Sequence, residues 1–306
     1  QTTRKRLSIL IALFSFFCLL ATPVISKISN QFSTSTSVSI LDVGHGSAVV
    51  LQLPYNKTIL VDGGGAASDN FNIGERVIGP FLWNKQLSHL DAVIISHPHA
   101  DHYNGLPFIL THFHPKELWV NGMTGHEPEY QELLNLATKL NIAIRIPSTD
   151  EILFQSGKTR LLCVHNGVPA EYSSNRTLSF PSQRPNTNDM RIVLRLETAD
   201  NSFLFPADIS ATMANTLVSE RRNIQADILL APHHGSRSSM SLDFIETVAP
   251  EYIAISAGRN NPFNFPDKSI FDLQQKGIQI LTTGRDGTLT FTEEDKKLVM
   301  SRYQIN

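Results

Sequence analysis

Ser96-His97-Pro98-His99-Ala100-Asp101-His102 is the stretch that decides how this chain folds. Leu90–Ser96 reads as a strand that runs straight into it, so three histidines and an aspartate crowd into six residues at a strand end. Imidazole and carboxylate are the ligands that borderline and hard divalent ions take. His97 and His99 stand two apart, so one turn can aim both at one ion. Asp101 and His102 then face a second ion a few ångström away, an arrangement that suits a bridged two-metal site. The plain alternative is a polar loop with coincidental histidines. It loses ground because further ligand types recur at later strand ends. Asp208 follows Phe203-Leu204-Phe205-Pro206-Ala207, and His233-His234 sit in Ala231-Pro232-His233-His234-Gly235-Ser236. Asp208 has its own alternative as a helix cap, since a helical pattern starts at Ala211.

Working outward, short apolar runs alternate with helical patterns from Val38 onward. Strands are expected at Val38–Asp42, Ala48–Leu53, Thr58–Val61, Glu117–Val120, Ala143–Ile146, Leu161–His165, Met190–Glu197, Ser202–Pro206, Asp227–Ala231, Glu251–Ser256, Ile278–Leu281 and Thr288–Thr292. Helices are expected near Glu129–Leu140, Ala211–Arg221, Leu242–Val248 and Asp267–Lys276. The mixture predicts two sheets with helices outside, an α/β layered domain. Ser173–Asn188 is polar and proline-containing and reads as a loop, a candidate lid.

Composition narrows the chemistry. The chain has 306 residues, 41% of them hydrophobic, and two cysteines, Cys18 and Cys163. A disulfide framework and a cysteine-rich zinc site are excluded, so a metal here must be held by histidines and carboxylates. Of 26 basic residues, Arg4, Lys5, Arg6 and Lys27 precede the first acid, Asp42; the remainder carries 22 basic against 28 acidic residues, about −6. That is not the surface of a strong electrostatic nucleic-acid binder.

Leu7–Ile25 is almost wholly apolar behind a basic flank, so residues 1–26 read as a transmembrane or signal-anchor helix with a cytoplasmic N-terminus. The rival is a cleaved signal peptide with a secreted or periplasmic product. Residues 27–37 read as a polar linker, and 38–306 as the layered domain that carries the histidine cluster. A first residue of Gln1 suits a piece of a longer protein.

The H-x-H-x-D-H run resembles the signature of the metallo-β-lactamase superfamily, and the resemblance extends over nearly all of residues 38–295. It implies an αββα sandwich with two metal ions at one edge of its sheets, preceded here by the one N-terminal hydrophobic helix. It further implies His97, His99, Asp101 and His102 as ligands, Asp208 as the bridge between the ions, and His234 as the late histidine ligand. His233 then becomes a substrate contact or general acid, and Ser236 a donor to phosphate unless it only forms the turn. Asn188 occupies the place of a further histidine ligand. An amide oxygen there suits manganese or magnesium better than zinc; His165 is the alternative ligand. Asp62, in Leu60-Val61-Asp62-Gly63-Gly64-Gly65, implies a carboxylate that hydrogen-bonds the metal loop without touching metal. His45, His112, His114 and His126 are expected to be ordinary polar or helix-end residues.

Leu41-Asp42-Val43-Gly44-His45-Gly46-Ser47-Ala48, the pair Asn186/Asn188, APHHGS and Ile255-Ser256-Ala257-Gly258 together resemble the C-terminal domain of the ComEC family, inner-membrane DNA-uptake channels of competent bacteria. His45 departs from a glutamine usual there, and Phe265 from a histidine before Pro266. The resemblance implies a phosphodiesterase or nuclease, with two divalent ions (zinc or manganese), that degrades one DNA strand. It would sit on the extracytoplasmic side of the inner membrane, with single-stranded DNA, the membrane and the rest of a DNA-uptake channel as partners. The rivals are a small-molecule phosphodiesterase, a lactone or thioester hydrolase of the same fold, and a non-catalytic module of a transport channel.

Overall fold

A computed structural model describes residues 15–17, 34–65, 71–123, 127–167, 190–259, 261–294 and 297–303. The chain lays down β1 (Ser37–Ile40), β2 (Val49–Leu53), β3 (Lys57–Val61), β4 (Ala92–Ile95), β5 (Glu117–Val120) and β6 (Ala143–Arg145) in one sheet. It then crosses to a second sheet of β7 (Glu151–Ser156), β8 (Thr159–His165), β9 (Val193–Glu197), β10 (Ser202–Phe205), β11 (Ile228–Leu230), β12 (Tyr252–Ile255) and β13 (Gln279–Thr282). β14 (Thr288–Glu294) and β15 (Lys297–Tyr303) return to the first, β14 pairing antiparallel with β1. Among the described residues the strand orders are β15-β14-β1-β2-β3-β4-β5-β6 and β13-β12-β11-β10-β9-β8-β7.

These runs become strands because alternate side chains have two different apolar layers to enter. In β4, Ala92 and Ile94 enter the layer between the sheets, while Val93 and Ile95 face the outer helices. In β10, Phe203 and Phe205 enter the central layer and Leu204 the opposite outer one. Helices Leu106–Phe113 and Pro128–Lys139 bury their apolar faces on the first sheet. Helices Ala211–Ser219 and Leu242–Val248, with the tighter 3₁₀ segment Lys268–Lys276, cover the second. The result is the expected αββα sandwich.

Topology alone assembles the edge that carries the histidines. β3 and β4 run parallel, as do β10, β11 and β12, so the segments leaving their carboxyl ends emerge together. Asp62 follows β3, the histidine cluster β4, Asp208 β10, His233-His234 β11 and Ser256 β12. A crevice at such strand ends is where α/β sheets place their ligands.

Some expectations shift. β1 starts at Ser37, and the buried Thr36 accepts a bond from Glu293 N (3.0 Å) through its carbonyl, so the ordered sheet begins before residue 38. β7, β15 and the helices Gly79–Asn84 and Leu106–Phe113 were not expected. Of the apolar segment Leu7–Ile25, Ser15–Phe17 are helical; the rest of the expected membrane helix, and the loop Ser173–Asn188, lie outside the described residues. Among the described residues no helix is long and apolar enough to cross a membrane.

Candidate metal centre

The histidine loop is held down before any ligand is considered. Asp62 accepts Ser96 N through Oδ1 (2.8 Å) and Ser96 Oγ through Oδ2 (2.9 Å). The same Oδ2 accepts Nδ1–H of His102 at 2.8 Å. The glycines leave room for the loop to settle: a Cβ on Gly46 (φ +87°) would lie 1.8 Å from the Asp101 carbonyl oxygen, which no side chain permits.

Each tautomer then follows from its neighbour. Because Ser96 Oγ gives its proton to Asp62, it must accept from His97 Nδ1 (3.0 Å), which leaves a lone pair on His97 Nε2. His102 donates through Nδ1 to Asp62, leaving Nε2 free to ligate. His234 donates through Nδ1 to the Ser256 carbonyl at 3.0 Å, leaving its Nε2 likewise. All three lone pairs point at Asp208, which is 6% exposed. Asp208 is not a helix cap, since Ser210 takes that place, its side chain accepting from Met213 N.

Two overlapping ligand sets result. One atom from each of Asp101, His102, Asp208 and His234 lies within 4.8 Å of every other. His234 Nε2 is 3.3 Å from Asp101 Oδ2 and 3.8 Å from Asp208 Oδ1; His102 Nε2 is 3.4 Å from Asp208 Oδ2. Beside this group, His97 Nε2 stands 3.1 Å from His99 Nδ1 and 3.8 Å from Asp208 Oδ2. Asp208 thus faces both groups, as a bridge must. The fit to a metal is shown by His102 Nε2 and His234 Nε2, both buried and both without a hydrogen-bond partner. Buried nitrogens are rarely left so, and a divalent cation is the partner that satisfies an imidazole lone pair facing a carboxylate.

Backbone strain collects at the same place. His233 (φ +49°) and His234 (φ +56°) are consecutive left-handed residues, and Ala207 (φ +52°), just before Asp208, is a third. Such conformations cost on the order of 1 kcal/mol or more each and persist where the surroundings impose them. A bond from His233 N to Ala207 O (3.1 Å) ties the two strained turns together.

The electrostatics say what competes with a metal here. Burial favours the neutral His102 ring, but Asp208, Asp62 and Asp101 outweigh it and raise its pKa well above the usual imidazole value. His234 is raised in the same way, with Asp208 the main opponent of burial. Asp208, although burial resists it, is held well below the usual carboxylate range by His102 and His234. The carboxylates thus favour their ionised form, and both imidazoles hold a proton more tightly than a free ring does. Their contribution to stability is present below the free imidazole pKa and is lost as pH rises through the raised folded values. A metal must displace those protons. Metal affinity should therefore rise with pH through the neutral range, with protons released on binding. Calorimetric titration in buffers of different ionisation enthalpy measures that release; its absence at neutral pH would refute this placement of charge.

His97, His99, Asp101, His102, Asp208 and His234 are all brought together, with Asp62 behind them as expected. His233 exposes 38% of its side chain at the rim, its Nε2 3.7 Å from Asp208 Oδ2 and its Nδ1 3.3 Å from the buried Ser239 Oγ. Ser236 is buried, and its hydroxyl bonds Ser238 Oγ (2.9 Å) within the turn. Asn188 lies outside the described residues, as does His126. His112 and His114 are helix-end residues as expected. His45 is not ordinary: its Nε2 is 3.5 Å from Asp101 Oδ2 and its ring 5.7 Å from His234. The sequence could not show this, because His45 meets Asp101 only through the packing of the β1–β2 loop. Two further residues escaped the sequence reading. Ser239 contacts His233, and the buried Arg191 lies close enough to depress the His97, His99 and His233 imidazoles further, behind the effect of burial.

Fold and ligand set together are those of a metal-dependent hydrolase with the metallo-β-lactamase fold, and the model of the metallo-beta-lactamase superfamily matches residues 41–154. Within that class the similarity runs to ComEC-type competence proteins. The chain is 27% identical over 284 residues to ComE operon protein 3 of Bacillus subtilis (89% of this chain, 35% of that protein). It is 25% identical over 259 residues to competence protein ComA of Neisseria gonorrhoeae (83% and 32%). The chain spans about a third of the length of these relatives. The same fold is seen in Igni18, a metallo hydrolase from Ignicoccus hospitalis, with a TM-score of 0.51 at 13% identity, covering 84% of this chain and 99% of that one.

Proposed function

We propose that this chain is a metal-dependent phosphodiesterase that degrades one strand of DNA during its uptake by a competent bacterium. The observation that carries the reading is the pair of buried, partnerless Nε2 atoms of His102 and His234 aimed at the shared carboxylate Asp208. Two divalent ions, zinc or manganese, would be held by His97, His99 and Asp208 on one side, and by Asp101, His102, Asp208 and His234 on the other. Asn188 is the candidate to complete the first set. Ions bound there would polarise phosphoryl oxygens and lower the pKa of water from about 16 towards about 7.

The protein's own contribution is placement. Ser239 Oγ stands 3.3 Å from His233 Nδ1; with the hydroxyl as donor, Nε2 carries the proton and faces the centre at its open rim. Burial lowers the His233 pKa, which keeps the ring neutral at neutral pH. A neutral Nε2–H there hydrogen-bonds a phosphoryl oxygen and steadies the charge that builds on it. The similarity to competence proteins supports DNA as substrate. The basic flank Arg4, Lys5, Arg6 and the apolar run after it support an inner-membrane setting, with this domain on the extracytoplasmic side beside the remainder of the uptake channel.

The acidic balance of the domain favours a small-molecule phosphodiesterase as second reading. The full chain, loaded with Mn²⁺ or Zn²⁺, separates the two when given a single-stranded oligonucleotide, bis-p-nitrophenyl phosphate and a lactone. Cleavage of the oligonucleotide is the expected result. Turnover of the small diester alone supports the second reading, and turnover of the lactone alone defeats both.

A further inference from the structure

The rim of the metal centre carries a row of rings that ligand chemistry does not use. Phe263 leaves 57% of its surface in water. Its ring stacks on His45, centroids 5.0 Å apart and planes 27° apart, and on Phe265 at 5.6 Å and 21°. Phe265 in turn lies 5.8 Å from the His233 ring and 6.1 Å from the His234 ring. His45 reaches the centre from the other side, through Asp101 and His234. Phe263 is therefore one ring removed from the ligands in both directions.

The loop beneath it is built to hold that ring still. Asn261 Oδ1 accepts Phe265 N (2.9 Å), while its Nδ2 donates to the carbonyls of Phe265 (2.6 Å) and Gly258 (2.9 Å). Gly258 N donates to Gly44 O, which joins this loop to the one bearing His45. An aromatic face left in water on a fixed loop gives the fold little by burial. Beside a centre that cleaves phosphodiesters, it matches the π-face of an unstacked base. Charge leaves room for such a contact: the 22 basic against 28 acidic residues beyond the N-terminal segment give no net electrostatic pull on a strand.

We propose that Phe263, packed beside His45 and Phe265 at the mouth of the metal centre, is the platform on which a base of the single-stranded substrate lies beside the scissile phosphate. This rests on the phosphodiesterase reading and names how that site takes its substrate.

A cycle of two changes tests it, one in the protein and one in the DNA. Metal-loaded wild type, Phe263→Ala and Phe263→Tyr are assayed on a single-stranded oligonucleotide and on the same strand with abasic positions. Stacking on one ring predicts that Phe263→Ala raises KM about tenfold on the intact strand. Wild type should lose a similar factor on the abasic strand, where the two proteins converge, and Phe263→Tyr should stay near wild type. Equal losses on both strands, or an unchanged KM, overturn the platform while leaving the nuclease standing. No cleavage of either strand by wild type overturns the nuclease and the platform with it.

Discussion

Asp208→Ala is expected to abolish hydrolysis, with kcat/KM falling on the order of 10³-fold or more. The size follows from what the carboxylate does. Among the described residues it is the side chain that faces both ligand groups, with Oδ2 3.8 Å from His97 Nε2 and 3.4 Å from His102 Nε2, and Oδ1 3.8 Å from His234 Nε2. Losing a single preorganised donor at a reaction centre costs about 10²–10³-fold; losing the bridge disorders two ligand sets at once. Metal content should fall with activity, and Asp208→Asn separates the causes. The amide keeps the shape but cannot offset the charge of two cations, so it should fail nearly as badly as alanine. Metal analysis by mass spectrometry on the purified variants, beside their kinetics, gives the answer. An alanine variant that keeps its metal and its rate would remove Asp208 from the centre.

How much of this was legible in the sequence depends on how local each signal is. His97 to His102 declare themselves because one turn after one strand holds them all, and Asp208 and His234 because each follows an apolar strand of its own. His45, Phe263 and Ser239 stayed hidden for the opposite reason. Each gains its meaning from a partner distant in sequence or across a loop: His45 from Asp101, Phe263 from His45, Ser239 from the strained His233. The same physics governed the missed elements. β7 and β15 are edge strands with much of their surface in water, so they lack the buried apolar run that betrays β2 or β10. Helix Leu106–Phe113 packs four of its eight residues into the core, and such a short apolar run does not distinguish helix from strand. The Asp208 alternative as a helix cap was decided by a neighbour, Ser210, that performs the capping itself.

Asp62 touches no substrate, yet its replacement should be felt as strongly as that of a ligand. Asp62→Ala strips three bonds from a buried site: those from Ser96 N, Ser96 Oγ and His102 Nδ1. Breaking a buried charged pair from one side costs about 3–5 kcal/mol, so a clear loss of stability in urea is expected along with weaker metal binding. Asp62→Asn is the sharper test. Ser96 N–H is backbone and cannot turn away, so the amide oxygen must stay on it, and the NH₂ must replace Oδ2. That NH₂ then points at His102 Nδ1 and donates where the carboxylate accepted. His102 answers by moving its own proton to Nε2, the atom that should carry the lone pair. The fold survives, but the ring now presents a hydrogen to the metal. Metal affinity should drop by at least the roughly 10–100-fold typical of partners that orient ligands, with little change in stability, and competition against a fluorescent chelator measures it. If Asp62→Asn bound metal as wild type does, the tautomer of His102 would not be set from behind. The whole chain of donors from Asp62 through Ser96 to His97 would then have to be redrawn.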